Sequence, residues 1–399
     1  MIGKKEILDV AREFGLEPNV VEKDYALGWL LAGIQNDEAL ASAWIFKGGT
    51  CLKKCYFETY RFSEDLDFTL GEPSQLDPAF LFARFASMSD WIYENSGIVI
   101  PREKIRFEIY TNPRGAKSCQ GKISYIAGKE TSRYQPTIKL DLTADEVLVF
   151  SPQRRPVHHP YSDKPETGME ILCYGFAEVF AEKIRALAER LRPRDLYDVI
   201  HLYRHGERTI DRDQVVNALR RKCEFKGIHL PSMVFLSRNP LYAELVSEWK
   251  NMLSHQLPVL PPFEEFWKEL PEAFEWLYGR TAPRAMAAIP ASAEAIDPAW
   301  RMPAMSTRWN ISVPLEKIRF AAANHLCVNL GYQGTSRIVE PYSLRRTKDG
   351  HLILYAVKHG TAETRSYRVD GIEHAEAISV PFVPRYIVEL SETGPMPVF

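Results

Sequence analysis

No run of the chain approaches the ~18 uncharged apolar residues of a membrane-spanning helix. The opening Met1-Ile2-Gly3-Lys4-Lys5 leads into a charged amphipathic stretch instead of the apolar segment of a secretion signal. Paired cysteines are also missing. Cys51, Cys55, Cys119, Cys173, Cys223 and Cys327 are scattered with no Cys-x-x-Cys, which argues against a disulfide framework and against a zinc site. Cys51 and Cys55, four apart on an expected helix, read as small core residues. Internal repeats are absent, and so is any excess of one charge: 50 Lys and Arg face 52 Asp and Glu, a net −2. Nothing global therefore pulls the chain towards nucleic acid or a membrane, and any attraction for anions must be local. The expectation is a cytoplasmic protein with no membrane partner and an oligomeric state left open. Its 399 residues, 45% hydrophobic, suffice for two or three domains with a large core.

What is present is concentrated between residues 44 and 68. Apolar Trp44-Ile45-Phe46 precedes Lys47-Gly48-Gly49-Thr50, then a helical stretch expected over 50–58, then Arg61-Phe62-Ser63-Glu64-Asp65-Leu66-Asp67-Phe68. In a strand, Asp65 and Asp67 share a face while Leu66 and Phe68 point to a core. Two carboxylates at that spacing either share a proton or hold a cation between them, and hard cations such as Mg²⁺ take carboxylates together with substrate phosphates. Gly48 and Gly49 sit where a strand turns into a helix, an order in which backbone N–H groups can hold phosphate. Loop and carboxylate strand together suit a metal–nucleoside triphosphate, with Thr50 and Ser63 alongside.

These strings resemble the AbiEii/AbiGii-type (MenT-like) nucleotidyltransferase toxins, a branch of the DNA polymerase β-like superfamily. Val21-Glu22-Lys23-Asp24-Tyr25, the stretch from Ser118 to Tyr125, and Ala181-Glu182-Lys183-Ile184-Arg185-Ala186-Leu187 leading to Arg194-Asp195-Leu196-Tyr197-Asp198 agree with it, over residues 5–235. The resemblance implies a metal-dependent enzyme that moves a nucleotide from an NTP to an acceptor hydroxyl, releasing pyrophosphate. The favoured acceptor is the 3′ end of tRNA, within a bacterial toxin–antitoxin or abortive-infection phage-defence system that supplies a cognate antitoxin. A protein acceptor, or a non-catalytic nucleotide- or RNA-sensing regulator, is the alternative. The fold implied is α/β (α+β): a polymerase-β-like core with a helical lobe.

Local patterns add candidates. Thr137–Thr143 alternates as a strand with Lys139, Asp141 and Thr143 on one face, so Asp141 is a candidate third metal ligand beside Asp65 and Asp67. Along the expected helix 175–191, Lys183 falls inside the apolar stripe of Phe176, Val179, Phe180, Ile184, Leu187 and Leu191, apart from Glu178, Glu182 and Glu189. A buried ammonium needs an anion. Triphosphate, Asp195 or Asp198 would serve, and the resemblance implies phosphate. Asp195 and Asp198 share a helix face, Asp198 being expected at the site and Asp195 in a structural role, neutralising Arg194 or capping the helix. The catalytic set is therefore Asp65, Asp67, Lys183 and Asp198. Gly48, Gly49, Thr50, Ser63 and Lys183 are the NTP-binding set, and Asp65, Asp67 and Asp141 the ligands for Mg²⁺ or Mn²⁺.

Basic residues cluster in residues 101–133, eight against three acidic, and again in 183–194 and 216–226. A groove for an RNA acceptor would use Arg114, Lys117, Lys122, Arg220 and Arg221, with Tyr110 or Tyr125 as stacking surfaces. His158-His159 is assigned to a loop. Other expected strands are 44–47, 64–70, 104–110 and 121–127; other helices are 4–14, 19–36, 78–95 and 194–205. The expected division is a core at 1–160, a helical lobe at 161–280, an Ala/Pro-rich linker at 281–308 and a small β-rich module at 309–399. The last resembles a WYL-type, SH3-like barrel through a Glu340-Pro341-Tyr342 turn and a Ser366-Tyr367-Arg368 strand. Arg345, Arg346 and Arg368 are its candidate nucleic-acid contacts.

Overall fold

The computed structural model describes residues 2–112, 114–127, 135–282, 285–291, 296–300 and 315–391. Lys129 and Arg133 of the first basic cluster lie outside them.

Helices α1 (Lys4–Phe14), α2 (Pro18–Asn36) and α3 (Glu38–Ala43) lead into β1 (Trp44–Lys47). The helix expected over 50–58 is a short turn α4 (Gly48–Cys51) that widens into a π-helical turn over Leu52–Tyr56. Strand β2 (Asp65–Leu70) follows, then α5 (Pro78–Ser96), capped where the Asp77 carboxylate accepts the Phe80 N–H and ended by left-handed Gly97. Strands β3 (Arg106–Thr111), β4 (Lys117–Ser124), β5 (Thr137–Thr143), β6 (Gln153–Pro156) and β7 (Glu170–Cys173) complete a seven-stranded sheet in the order β3-β4-β5-β2-β1-β7-β6.

Alternation gives this sheet two chemically distinct faces. Leu66 and Phe68 of β2, with Ile138, Leu140 and Leu142 of β5, are buried, and Phe107 packs on Phe85 of α5 at 5.1 Å between ring centroids. Asp65, Asp67, Lys139 and Asp141 face the other way. Strand β7 pairs in parallel with β1, so the sheet draws on chain beyond residue 160, where the core was expected to end. A parallel neighbour requires a long crossover, which the intervening segments supply.

The lobe consists of α6 (Phe176–Arg190), α7 (Pro193–Gly206), α8 (Arg212–Lys226), α9 (Met233–Ser237), α10 (Tyr242–Leu253) and α11 (Phe263–Leu277). It corrects one expectation about α6. Glu178, read as part of a polar face, is buried and holds Lys222 of α8 at 2.7 Å while accepting the Phe150 N–H. Lys222 is thereby inside the lobe and not in a groove.

The C-terminal module opens with α12 (Leu315–Ala323), followed by β8 (Leu326–Tyr332), β9 (Thr335–Arg346), β10 (Leu352–Lys358), β11 (Thr364–Arg368) and β12 (Ile372–Pro381). They form a five-stranded antiparallel sheet ordered β11-β10-β9-β8-β12. The turn expected at Glu340-Pro341-Tyr342 is a correction: these residues lie inside β9, with a register shift opposite Tyr355 and Ala356. Proline cannot donate to the ladder, and a bulge accommodates it without breaking the strand. The described parts of the Ala/Pro segment lie along this module. Ile289 is buried, the Ala287 carbonyl accepts the Ile387 N–H, and the Asp297 N–H donates to the Arg346 carbonyl.

Module and core meet through the segment just ahead of Arg61. The Thr59 hydroxyl donates to Glu316 at 2.8 Å, and Arg319 holds both Glu316 and Glu58, all three side chains being buried.

Candidate functional site

The register of three strands builds the site. Antiparallel pairing sets Lys47 of β1 opposite Asp67 of β2, and parallel pairing sets Asp67 opposite Asp141 and Asp65 opposite Lys139 of β5. Asp65, Asp67 and Asp141 therefore project from one face, and among the described residues none of them forms an ion pair. Burial raises the Asp67 carboxyl to about 6, with Lys47 working against the rise and Asp141 adding to it. Asp65 is raised as well, again chiefly by burial.

The glycines lie against this face. Gly48 has φ +83°, and a Cβ there would meet Asp67 Oδ2 at 2.0 Å; one on Gly49 would fall 2.6 Å from the Arg61 guanidinium and 3.1 Å from Ser63 Oγ. At Gly48 both the backbone and the space favour glycine, and at Gly49 a side chain would have to displace the Arg61 guanidinium. The Thr50 hydroxyl donates to the Asp65 carbonyl at 2.5 Å, tying the turn to the carboxylate strand.

Behind the carboxylates is a buried charge cluster. Asp198 of α7 accepts Arg61 Nε at 2.6 Å and its terminal nitrogen at 2.7 Å, Lys183 Nζ lies 2.7 Å from Oδ2, and the Tyr60 hydroxyl donates to Oδ1. Burial by itself would raise this carboxyl, but Arg61 and then Lys183 hold it well below the usual carboxylate range. The anion that Lys183 requires is thus Asp198. An ammonium has three donors, so others remain for a phosphate. Asp195 is buried and takes a two-pronged pair from Arg190, at 2.6 and 2.8 Å.

Sequence reasoning passed over Arg61 and Arg194 as functional groups. The Arg194 Nε is buried without a hydrogen-bond partner, and its guanidinium interacts with Asp65 and Glu64 without forming an ion pair. The adjacency of Arg194 to Asp195 was the available signal; that Asp195 turns to Arg190 was not legible. The Val21–Tyr25 string proves to be a brace: Lys23 pairs with Glu64 at 2.8 Å, Asp24 with buried Lys54 at 2.7 Å, and the Tyr25 hydroxyl donates to Asp163.

The candidate RNA contacts divide. Lys122 is exposed and pairs in register with Lys139, on the carboxylate face; Lys117, of opposite parity on β4, lies on the other face. Arg220 and Arg221 are exposed on α8. Arg114 is engaged by Asp145 at 3.1 Å and lies over the Phe225 ring. Tyr110 is exposed, but Tyr125 is buried and offers no stacking surface. Arg345, Arg346 and Arg368 each hold a carboxylate at 2.6 Å, from Glu389, Asp297 and Asp370. His158 and His159 are in a loop, as expected, but buried, near Glu58 and Asp163.

The sequence model for the nucleotidyl transferase AbiEii toxin, type IV toxin–antitoxin system, matches residues 29–280, more than half of the chain. The chain belongs to the AbiEii nucleotidyltransferase toxin family. The WYL domain matches residues 314–377, the C-terminal module. None of the curated proteins matches significantly. Among solved structures, MenT4, nucleotidyltransferase toxin Rv2826c from Mycobacterium tuberculosis H37Rv, is 18% identical with a TM-score of 0.47, covering 70% of this chain and 90% of its own. JHP933 from Helicobacter pylori is 17% identical with a TM-score of 0.42, covering 66% and 94%. Family membership makes this toxin a nucleotidyltransferase, an enzyme class that uses an NTP and a divalent metal, and implies an antitoxin partner. No helix among the described residues is long and apolar enough to cross a membrane.

Proposed function

We propose that the toxin transfers a nucleotide from an NTP to the 3′ end of tRNA in the bacterial cytoplasm, within a phage-defence or toxin–antitoxin setting, and that strands β1, β2 and β5 carry its site. The observation that supports this most is the register that gathers Asp65, Asp67 and Asp141 beside a glycine turn in which an added Cβ would crowd Asp67 and Arg61. Carboxyls raised chiefly by burial, with Asp141 adding to the rise, are a donor set that suits a hard divalent cation. Asp65, Asp67 and Asp141 would hold Mg²⁺ or Mn²⁺, which when bound neutralises triphosphate charge and activates the acceptor hydroxyl.

The chain's own groups do the rest. Gly48 and Gly49 leave room for the triphosphate beside Thr50 and Ser63. Lys183, steadied by Asp198, which Arg61 holds in place, donates to phosphate, and Arg194 offers a guanidinium whose fork fits phosphate oxygens. Attack on the α-phosphate then expels pyrophosphate in line. Lys122, Arg220 and Arg221 are the basic groups available to an RNA backbone. The core, lobe and C-terminal module divide binding, positioning and docking or regulation among them.

The test is incubation of the purified toxin with each α-labelled NTP, total RNA and protein extract, with Mg²⁺ or Mn²⁺. Label on the tRNA 3′ end is expected. Label on protein would replace the acceptor, and label on neither, from a folded preparation, would make the chain a sensor.

A further inference from the structure

Cys173 lies more than a hundred residues from Cys51 and Cys55 in the sequence, yet the fold brings the three together. Cys51 ends α4, Cys55 lies in the π-helical turn that follows, and Cys173 ends β7, in register with Phe46 of β1. All three are buried, and their sulfurs lie within 4.8 Å of one another. Three sulfurs around one ion, with metal–sulfur bonds of about 2.3 Å, stand about 4 Å apart, so little movement would be needed to close on it. π-Helical turns recur at functional sites, and here one carries a member of the cluster.

Burial pushes the Cys51 and Cys55 thiols up, so a bound cation would have to draw off their protons, and one fixed positive charge already stands beside the cluster. Arg155 donates from Nε to the Cys55 carbonyl at 3.0 Å, lies over the Tyr56 ring at 4.2 Å, and interacts favourably with charge on Cys173. A divalent ion with three thiolates carries −1, which this guanidinium would neutralise. No fourth Cys, His or carboxylate joins the group among the described residues.

We infer that Cys51, Cys55 and Cys173 form a binding site for one soft, thiophilic divalent ion of the zinc class, separate from the carboxylate site. Three thiols lose their protons to the solvent as three metal–sulfur bonds form, with no change in oxidation state. An all-sulfur donor set favours the softer ion, so Cd²⁺ binds more tightly than Zn²⁺. Because the site is closed, the ion enters as the chain folds. It would pin the glycine turn to β7 immediately behind the nucleotide side.

The experiment uses the full chain, expressed in zinc-supplemented medium, then unfolded under reducing conditions and refolded with Cd²⁺. About one equivalent of metal per chain is expected, with an ultraviolet band for thiolate-to-cadmium charge transfer whose intensity corresponds to three thiolates. Cys173→Ser should lower retention about tenfold or more, and Cys223→Ala should not. A folded wild-type chain without metal and without the band overturns the proposal and leaves three buried cysteines as small hydrophobes. Metal without the band, or undiminished in folded Cys173→Ser, overturns it by placing the ion elsewhere. Should Cys173→Ser fail to fold, the wild-type band decides the matter.

Discussion

The two ends of the chain treat charge in opposite ways. On the carboxylate face of the core, Asp65, Asp67 and Asp141 stand together with no ion pair among the described residues, and Arg194 is half-buried nearby with an unsatisfied Nε. In the WYL-type module, Arg345, Arg346 and Arg368 are each matched to a carboxylate. Uncompensated charge costs stability, and a fold tolerates it where a ligand completes the balance. Matched surface charge asks for no ligand. The difference locates the chemistry in the core and gives the module a contact with it through Glu58, Thr59, Glu316 and Arg319, directly before Arg61.

The largest effect should come from the carboxylates. Asp65→Asn or Asp67→Asn should lower nucleotidyl transfer about 1,000-fold or more in a folded protein, and transfer retained by both variants would break the contrast at its root. Asp67→Asn also tests the electrostatic argument without metal. A carboxyl raised to about 6 binds its proton more tightly in the folded state, so its contribution to stability is full below about 4 and lost as pH rises through 6. The variant should match wild type in thermal unfolding at pH 4 and exceed it at pH 8.

Next is the cluster behind the site. Asp198→Asn leaves Arg61 and Lys183 buried without their anion and should cost about 3–5 kcal/mol in denaturant unfolding. Lys183→Met should cost much less, because Asp198 keeps Arg61, while the thermal shift caused by NTP shrinks. Equal stability losses in the two variants would mean that Lys183 is only a structural partner. Arg194→Gln should weaken NTP binding by about tenfold to a hundredfold with stability unchanged or slightly higher, which isothermal titration and thermal unfolding would check together.

The smallest effects sharpen the comparison at the surface. Lys122→Ala, or Arg220→Ala with Arg221→Ala, should flatten the salt dependence of RNA binding by about one unit of log–log slope per lost phosphate contact. Arg346→Ala with Arg368→Ala should leave that slope and the unfolding midpoint unchanged, since both side chains are already matched. A flatter slope in the second pair would show that these arginines exchange their carboxylates for phosphate and that the module docks RNA.

Much of this was legible in the chain because local chemistry dictated it. Period-two alternation placed Asp65 and Asp67 on one side of β2 and Lys139 and Asp141 on one side of β5, and Gly48 suited a left-handed backbone that side chains rarely adopt. The apolar stripe of α6 marked Lys183 as an ammonium in need of an anion. Which anion it found was a different matter. That Asp198 serves both Lys183 and Arg61, that Asp195 turns to Arg190, that Glu178 is buried against Lys222, and that Cys173 meets Cys51 and Cys55 all depend on contacts between separate elements. A residue's own neighbours in sequence set its backbone conformation and its face. Its partner is set by which elements pack across from it, a choice made by burial of the whole core, and so it was the tertiary structure alone that decided how these charges and thiols were matched.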